Sequence, residues 1–411
     1  MSELLTLIRE EIRGLSPYHV AESSGMIKLD AMENPYVWSD ELREAWLQHL
    51  RDVSLNRYPH PDAPAVKTGL RKVMDIPEDM ALMLGNGSDE IIQILLMALA
   101  KPGATVLAVE PCFVMYRFIA RFVGMEYIGI PLNEDFSLHT EATLAAIAVH
   151  RPAVIFLAEP NNPTGNKYDR ESVRSIIEAA PGFVVMDEAY LPFADGDAMP
   201  LLRQYPQVLV MRTLSKVGLA GLRLGMMIGR PNVLGELEKV RLPYNINSLS
   251  QASAEFALNH YAVFDAQALL IRQERARLLD ALSQLPGWRV FPSQANFILA
   301  RTPKGQARAL FEGLKSRGIL IKCLDGAHPL LADCLRFTIG SPDENHSVTA
   351  ALQEMCASRG GPGISDSLLS GKAARFGHDK PMKSGAKDEQ TSPPESQSGL
   401  QGQSGAGSAE R

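Results

Sequence analysis

The stretch V-M-R-T-L-S-K-V-G-L-A-G-L-R-L-G, residues 210–225, decides how the rest of the chain is read. An apolar run over 208–211 leads into it and another over 225–228 leads out, and both read as buried strands. Between them lie one lysine, Lys216, two hydroxyls, Thr213 and Ser215, and a glycine-rich segment that carries Arg223. Burial depresses an amine's pKa and makes it nucleophilic enough to condense with a carbonyl. The hydroxyls and the guanidinium are the groups a phosphate would need. An aldehyde and a phosphate on one small ring describe pyridoxal 5'-phosphate. An exposed loop lysine fits the same residues, so the rest of the chain has to supply the cofactor's other partners.

From residue 67 to about 227 the hydrophobic period alternates between helix and buried strand. Helices are expected at 66–74, 90–100, 116–123, 141–150 and 170–179, with strands at 81–84, 105–109, 126–130, 154–157 and 183–186. This alternation predicts an α/β fold: a mainly parallel sheet covered on both faces, with ligands at the carboxyl ends of its strands. Residues 1–15 read as a short amphipathic helix, 27–32 as a strand and 39–50 as a helix capped by Ser39. The proline-rich run 55–64 reads as an extended arm. Further on, helices at 232–241, 250–285, 305–317 and 344–357 with strands at 288–290, 296–300 and 334–339 predict a smaller α+β domain. The expected division is 1–60 as N-terminal segment and arm, 61–250 as the large domain and 251–356 as the small one. Residues 357–411, dominated by Gly, Ser, Pro, Gln, Lys and Glu, are expected to be a disordered tail.

Of the 411 residues, 45% are hydrophobic and 21% charged, an ordinary globular composition, and the net charge is -6. No basic cluster interleaves with aromatics, which argues against nucleic acid. No apolar run approaches the ~20 residues a bilayer crossing requires, and the first residues lack a signal pattern, so a cytoplasmic location without membrane contact is expected. The four cysteines, Cys112, Cys323, Cys334 and Cys356, form neither a C-x-x-C pair nor a ligand set, and no metal is expected.

Four more motifs each follow an expected strand. G-N-G-S-D-E, residues 85–90, opens a helix, whose free N–H groups make Gly87, Ser88 and Asp89 candidates for a phosphate cradle. E-P-C-F, 110–113, offers Phe113 as a ring to stack on a planar cofactor. A-E-P-N-N-P-T-G, 158–165, fixes an amide, Asn162, in a rigid turn. V-V-M-D-E-A-Y, 184–190, ends in Asp187, which can hold a pyridine nitrogen protonated, and Tyr190, placed to bond the ring's phenolate oxygen.

Together S-D-E (88–90), N-N-P-T-G (161–165), D-E-A-Y (187–190), T-L-S-K (213–216) and G-L-R-L-G (221–225) resemble the fold-type I pyridoxal-phosphate aminotransferases. Asn34-Pro35-Tyr36, N-R-Y-P (56–59) and L-R-F-T-I-G (335–340) narrow the resemblance to the histidinol-phosphate aminotransferase family and its close relatives, over about residues 1–355. The resemblance implies that Lys216 holds the cofactor covalently, Asp187 pairs with the pyridine nitrogen, and Asn162 and Tyr190 bind the phenolate oxygen. Gly87, Ser88, Thr213, Ser215 and Arg223 would hold the phosphate, joined by Tyr58 from a neighbouring subunit, which implies a homodimer with shared active sites. Phe113 stands where the family often has Tyr. Arg336 would bind the substrate's anionic end, with Tyr18, Asn34 and Lys322 as further contacts. Lys322 replaces an Arg found in some relatives and lacks its bidentate fork. The implied reaction moves an amino group between L-histidinol phosphate and 2-oxoglutarate, giving imidazole acetol phosphate and L-glutamate. A broad aromatic aminotransferase and a threonine-phosphate decarboxylase keep the same cofactor residues and stay open. A cofactor-sensing regulator would need a helix-turn-helix domain, for which the chain has no room.

Overall fold

The computed structural model describes residues 2–17 and 20–359. Tyr18 and the expected tail from residue 360 on lie outside the described residues. Seven strands form the central sheet: β1 (Ala81–Asn86), β2 (Thr105–Glu110), β3 (Glu126–Pro131), β4 (Val154–Ala158), β5 (Phe183–Asp187), β6 (Val208–Thr213) and β7 (Leu224–Gly229). Their order across the sheet is β1-β7-β6-β5-β4-β2-β3. Neighbours pair in parallel except around β7, which runs antiparallel to both β1 and β6. Its reversal follows from a connection too short for a crossover, because only residues 214–223 separate β6 from β7.

Successive residues of the inner strands alternate between two separate apolar clusters. Val184, Met186, Val208 and Val210 enter one. Val185, Leu209, Met211 and Phe156 enter the other. Both faces of the sheet are therefore buried, and its strands appear in sequence as continuous apolar runs rather than alternating ones. The helices Gly87–Leu99, Met115–Val123, Thr140–His150 and Arg170–Ala179 lie close to their expected positions. Ser39 caps the helix Asp40–Leu50 by accepting from Leu42 N–H.

A second, four-stranded antiparallel sheet takes the order Lys322–Cys323, Cys334–Thr338, Phe297–Arg301, Arg289–Val290. It carries a third apolar cluster built on Phe297, Phe337 and Leu352, and the N-terminal residues Leu29 and Met32 join that cluster. Ile27–Lys28 pairs in parallel with Ile319–Leu320, so the chain's beginning is fastened to its last third.

Several expected elements differ. The single helix expected over 250–285 is two, Ser248–Asn259 and Ala262–Ser283. His260 ends the first: its ring Nδ1 bonds Phe256 O at 2.8 Å and the ring lies 4.3 Å from that of Phe256. The two helices serve different neighbours, the first packing on Pro64–Val73 and the second on Pro342–Arg359. Residues 1–15 form two separate turns, Ser2–Leu5 and Glu10–Arg13, and the strand expected over 27–32 is only Ile27–Lys28. The last helix runs to Arg359, two residues past the expected start of the tail. Among the described residues no helix is long and apolar enough to cross a membrane.

Candidate active site

At the carboxyl ends of the parallel strands a cleft opens with about 590 Å³ of empty space, part of it open to solvent. It receives Ser88 and Asp89 after β1, Phe113 after β2, Asn162 after β4, Asp187 and Tyr190 at the end of β5, and Thr213, Ser215 and Lys216 after β6. Arg223 reaches the same wall from the start of β7. The reversed strand explains this: its first residue lies at the edge where the parallel strands finish. Arg223 sits in the left-handed region, φ 50°, a conformation that is uncommon for a side-chain-bearing residue.

Lys216 is partly buried, and its Nζ lies 3.3 Å from Ala31 O and 5.8 Å from the centre of the Tyr190 ring. Burial first, then the nearby Arg336 cation, lower its pKa to about 8. Asp187 is 4% exposed, and burial raises its carboxyl to about 6 although two hydrogen bonds oppose the shift. The donors are Tyr116 OH to Oδ2 at 2.5 Å and Ala189 N–H to Oδ1 at 3.1 Å. Asn162 Nδ2 donates to Tyr190 OH at 3.1 Å, and Arg336 Nη1 donates to Asn162 Oδ1 at 2.5 Å. A guanidinium, an amide and a phenol thus form one relay along the cleft. Arg336 also donates to Asp30 O at 2.7 Å.

The phosphate side is built from small residues and hydroxyls. Gly87 has φ +79°, and a Cβ there would stand 2.8 Å from Arg223 Nη2. A Cβ on Gly225 would meet the Gly87 carbonyl carbon at 2.5 Å, so β7 passes the start of the helix Gly87–Leu99 this closely only because position 225 lacks a side chain. Thr213 Oγ1 accepts from Ser215 N–H at 3.1 Å, and the two hydroxyl oxygens are 2.9 Å apart. Arg223 Nη2 forms an exposed ion pair with Asp89 Oδ2 at 3.4 Å, a pair that the solvent screens. Gly87→Ala is expected to cost about 1–2 kcal/mol in the backbone. Displacing Arg223 should also weaken cofactor retention roughly tenfold, readable by equilibrium dialysis, because a charge-assisted contact is lost.

The arrangement fits pyridoxal 5'-phosphate. A depressed lysine amine faces the cleft, a buried carboxylate stands opposite with capacity for another donor, an amide and a phenol lie between, and a glycine turn with hydroxyls and Arg223 closes one end. Phe113 lines the cleft and meets Tyr116 edge to face at 5.6 Å.

Other expected residues lie elsewhere. Asn34 is outside the cleft lining, and its amide is spent within the chain: Nδ2 donates to Val217 O at 2.8 Å and Gln267 Oε1 at 2.9 Å, and Oδ1 accepts from Tyr36 N–H. These bonds tie down the turn that follows Lys216. Tyr58 is 82% exposed, stacks on Tyr244 at 4.6 Å and does not line its own chain's cleft. Lys322 stands directly opposite Arg336 in the four-stranded sheet, which puts the two side chains on one face. Tyr116 and Met32 were not anticipated. Met32 lines the cleft from the N-terminal stretch. Tyr116 reads only as the apolar face of an amphipathic helix, and nothing in its spacing announces a carboxylate partner.

Comparison with known proteins agrees with this geometry. Residues 24–352 match the family model "Aminotransferase class I and II". The chain is 58% identical over 346 residues to histidinol-phosphate aminotransferase 2 of Nitrosococcus oceani, covering 84% of this chain and 96% of that one. It is 52% identical over 357 residues to histidinol-phosphate aminotransferase 1 of Ralstonia nicotianae, covering 85% and 95%. Among solved structures, histidinol-phosphate aminotransferase from Sinorhizobium meliloti in complex with pyridoxal-5'-phosphate superposes with a TM-score of 0.76 at 25% identity, over 86% of this chain and 98% of that one. With its cofactor-shaped cleft and a family match spanning most of its length, the chain belongs to the class I and II aminotransferases.

Proposed function

We propose that the protein is a pyridoxal-phosphate-dependent transaminase of L-histidine biosynthesis, moving the amino group of L-histidinol phosphate to 2-oxoglutarate. The products are imidazole acetol phosphate and L-glutamate. The observation that carries the reading is the cleft lined by Lys216, Asp187 and Asn162, with Arg336 bonded to Asn162 behind that lining, in a chain 58% identical to a histidinol-phosphate aminotransferase over 84% of its length.

Bound cofactor would supply an electron-accepting ring for the pair released when the substrate's C–H bond breaks. Lys216 would carry the cofactor through Nζ, and its lowered pKa leaves a useful neutral fraction of the amine near neutrality. Once released, the same Nζ takes and returns the proton at the reacting carbon. Asp187 would hold a proton on the ring nitrogen, and Tyr190, bonded by Asn162, would supply a hydroxyl to the phenolate oxygen. Ser88, Thr213, Ser215 and Arg223, with the backbone at Gly87, would hold the phosphate, and Phe113 would stack on the ring. Arg336 pairs with the substrate's anionic end, and one guanidinium fork suits both a phosphate monoester and a carboxylate. Lys322, on the same face of the sheet, adds a second positive charge.

In this reading the working form is a cytoplasmic homodimer. Tyr58, exposed like Leu55 and Leu242 and stacked on Tyr244, would reach the phosphate held by a second copy. Sedimentation of the purified protein is expected to give twice the chain mass. The substrate is tested by the half-reaction: L-histidinol phosphate should discharge the visible absorption of bound cofactor rapidly at low concentration, and L-phenylalanine slowly. Faster discharge by phenylalanine would make the protein a general aromatic aminotransferase.

A further inference from the structure

The carboxylate at the floor of the cleft has a partner that none of the motifs contains. Tyr116, on the helix Met115–Val123, is fully buried, and its hydroxyl donates to Asp187 Oδ2 at 2.5 Å. Its ring lies flat on Phe156 of β4, with centroids 4.3 Å apart and planes 12° apart, and meets Phe113 edge to face. The phenol is therefore clamped on one face, by the strand that leads to Asn162. Asp187 Oδ1 is held separately by Ala189 N–H, so each carboxylate oxygen already accepts one hydrogen bond.

Resting on the cofactor reading above, we propose that Tyr116 is a positioning residue. Its hydroxyl, by bonding the ionised carboxylate, keeps the proton of the Asp187–pyridine pair on the ring nitrogen instead of on Asp187. A pyridine bonded to a carboxyl shares one proton between two sites. Where it rests depends on how well the surroundings stabilise a carboxylate against a neutral acid. Burial of Asp187 favours the neutral acid, and so does the negative Asp89; Lys216 opposes them with its charge. Around Tyr116, burial raises Cys112 to about 12 and Tyr168 well above the ordinary phenol range, so both face it uncharged. Tyr116 itself is raised by burial and by Asp187, so it remains a neutral donor throughout the working range. With Ala189 N–H, it is one of two hydrogen-bond donors that tip the balance back toward the carboxylate. Only a protonated ring nitrogen makes the cofactor a strong electron acceptor.

The test uses holoenzyme loaded with cofactor that is ¹⁵N-labelled at the ring nitrogen, comparing native protein with Tyr116→Phe. The substitution keeps the ring and its stack on Phe156 and deletes one hydroxyl. Loss of a hydrogen bond to a charged group is expected to move the ratio of the two proton positions roughly tenfold toward Asp187. The nitrogen resonance should then shift toward that of neutral pyridine, and kcat should fall about tenfold with little change in the KM of the amino donor. An unchanged nitrogen resonance would overturn the proposal whatever happens to the rate, since a purely structural tyrosine would lower activity without moving that proton. Should the variant not accumulate, the native holoenzyme carries a second test. A phenol donating to a buried carboxylate gives an exchange-protected proton resonance far downfield, and its absence would overturn the proposal equally. If native protein fails to bind the labelled cofactor, the cofactor reading falls and this inference with it.

Discussion

Lys216→Ala is expected to lower turnover by roughly 10⁴-fold or more, because one side chain acts both as the covalent anchor and as the proton carrier. The fold should survive, since the amine's hydrogen bond to Ala31 O is long, at 3.3 Å. Variant protein incubated with pyridoxal phosphate should lack the visible absorption of lysine-bound cofactor, while the phosphate contacts still retain some of it by dialysis. Lys216→Arg is the sharper control. It keeps charge and length, yet a guanidinium does not deprotonate, so it should be as inactive as the alanine variant. The pH dependence has a definite sign. The folded pKa, about 8, lies below the ordinary lysine value of 10.5, so the folded protein holds fewer protons between those limits. Stability from this group therefore rises as pH climbs through that window. Capture of added cofactor by the cofactor-free protein should accelerate with pH and level off above about 8. Normal turnover by the alanine variant would refute the assignment of Lys216.

Asp187→Asn should separate stability from activity. The carboxyl is raised from 3.8 to about 6 by burial, so between those values the folded protein holds more protons than the unfolded chain. Stability contributed by this group is fully present below about pH 4 and is lost as pH rises through about 6. At neutral pH the cofactor-free protein thus carries a buried charge that costs on the order of 1–3 kcal/mol. Asparagine keeps an oxygen for Tyr116 OH and removes the charge. The cofactor-free variant should melt several degrees higher than native at pH 7, with the difference vanishing near pH 4. Its turnover should fall roughly 10²–10³-fold, because an amide cannot hold the ring nitrogen protonated. A variant that is both less stable at pH 7 and fully active would contradict both halves of the argument.

The central sheet is legible in the sequence because both of its faces are buried, which leaves continuous runs such as 208–211 that no amphipathic helix would produce. Most of the residues that line the cleft are legible because each falls at or just after such a run, where a strand end fixes direction. Contacts that depend on packing between distant segments are not. Tyr116 bonds Asp187 across 71 residues, and Arg336 bonds Asn162 across 174, with only ordinary helix and strand patterns around them. The break at His260 carries no Gly or Pro, and the pattern simply continues through it. Lys322–Cys323 and Ile319–Leu320 are two residues long, too short for any period to register. The bonds of Asn34 are hidden for a related reason: its motif predicts a turn, but only the packed structure shows its amide donating to Val217 O and Gln267 Oε1.

The N-terminal fastening has a consequence for biosynthesis on the ribosome. Met32 N–H is bonded by Thr338 Oγ1, 306 residues later, and Asn296 Nδ2 holds Met32 O. The same stretch supplies Ala31 O to Lys216 and Met32 to the cleft wall. At about 5–20 residues per second, roughly 15–60 s pass between emergence of Met32 and of its partner. During that interval the seven-stranded sheet can assemble while residues 27–34 wait with Leu29 and Met32 uncovered. The nascent chain therefore passes through a stage in which every cofactor-facing strand end exists but the pocket lacks a wall, and this is when a chaperone, or early capture of the cofactor itself, would matter most.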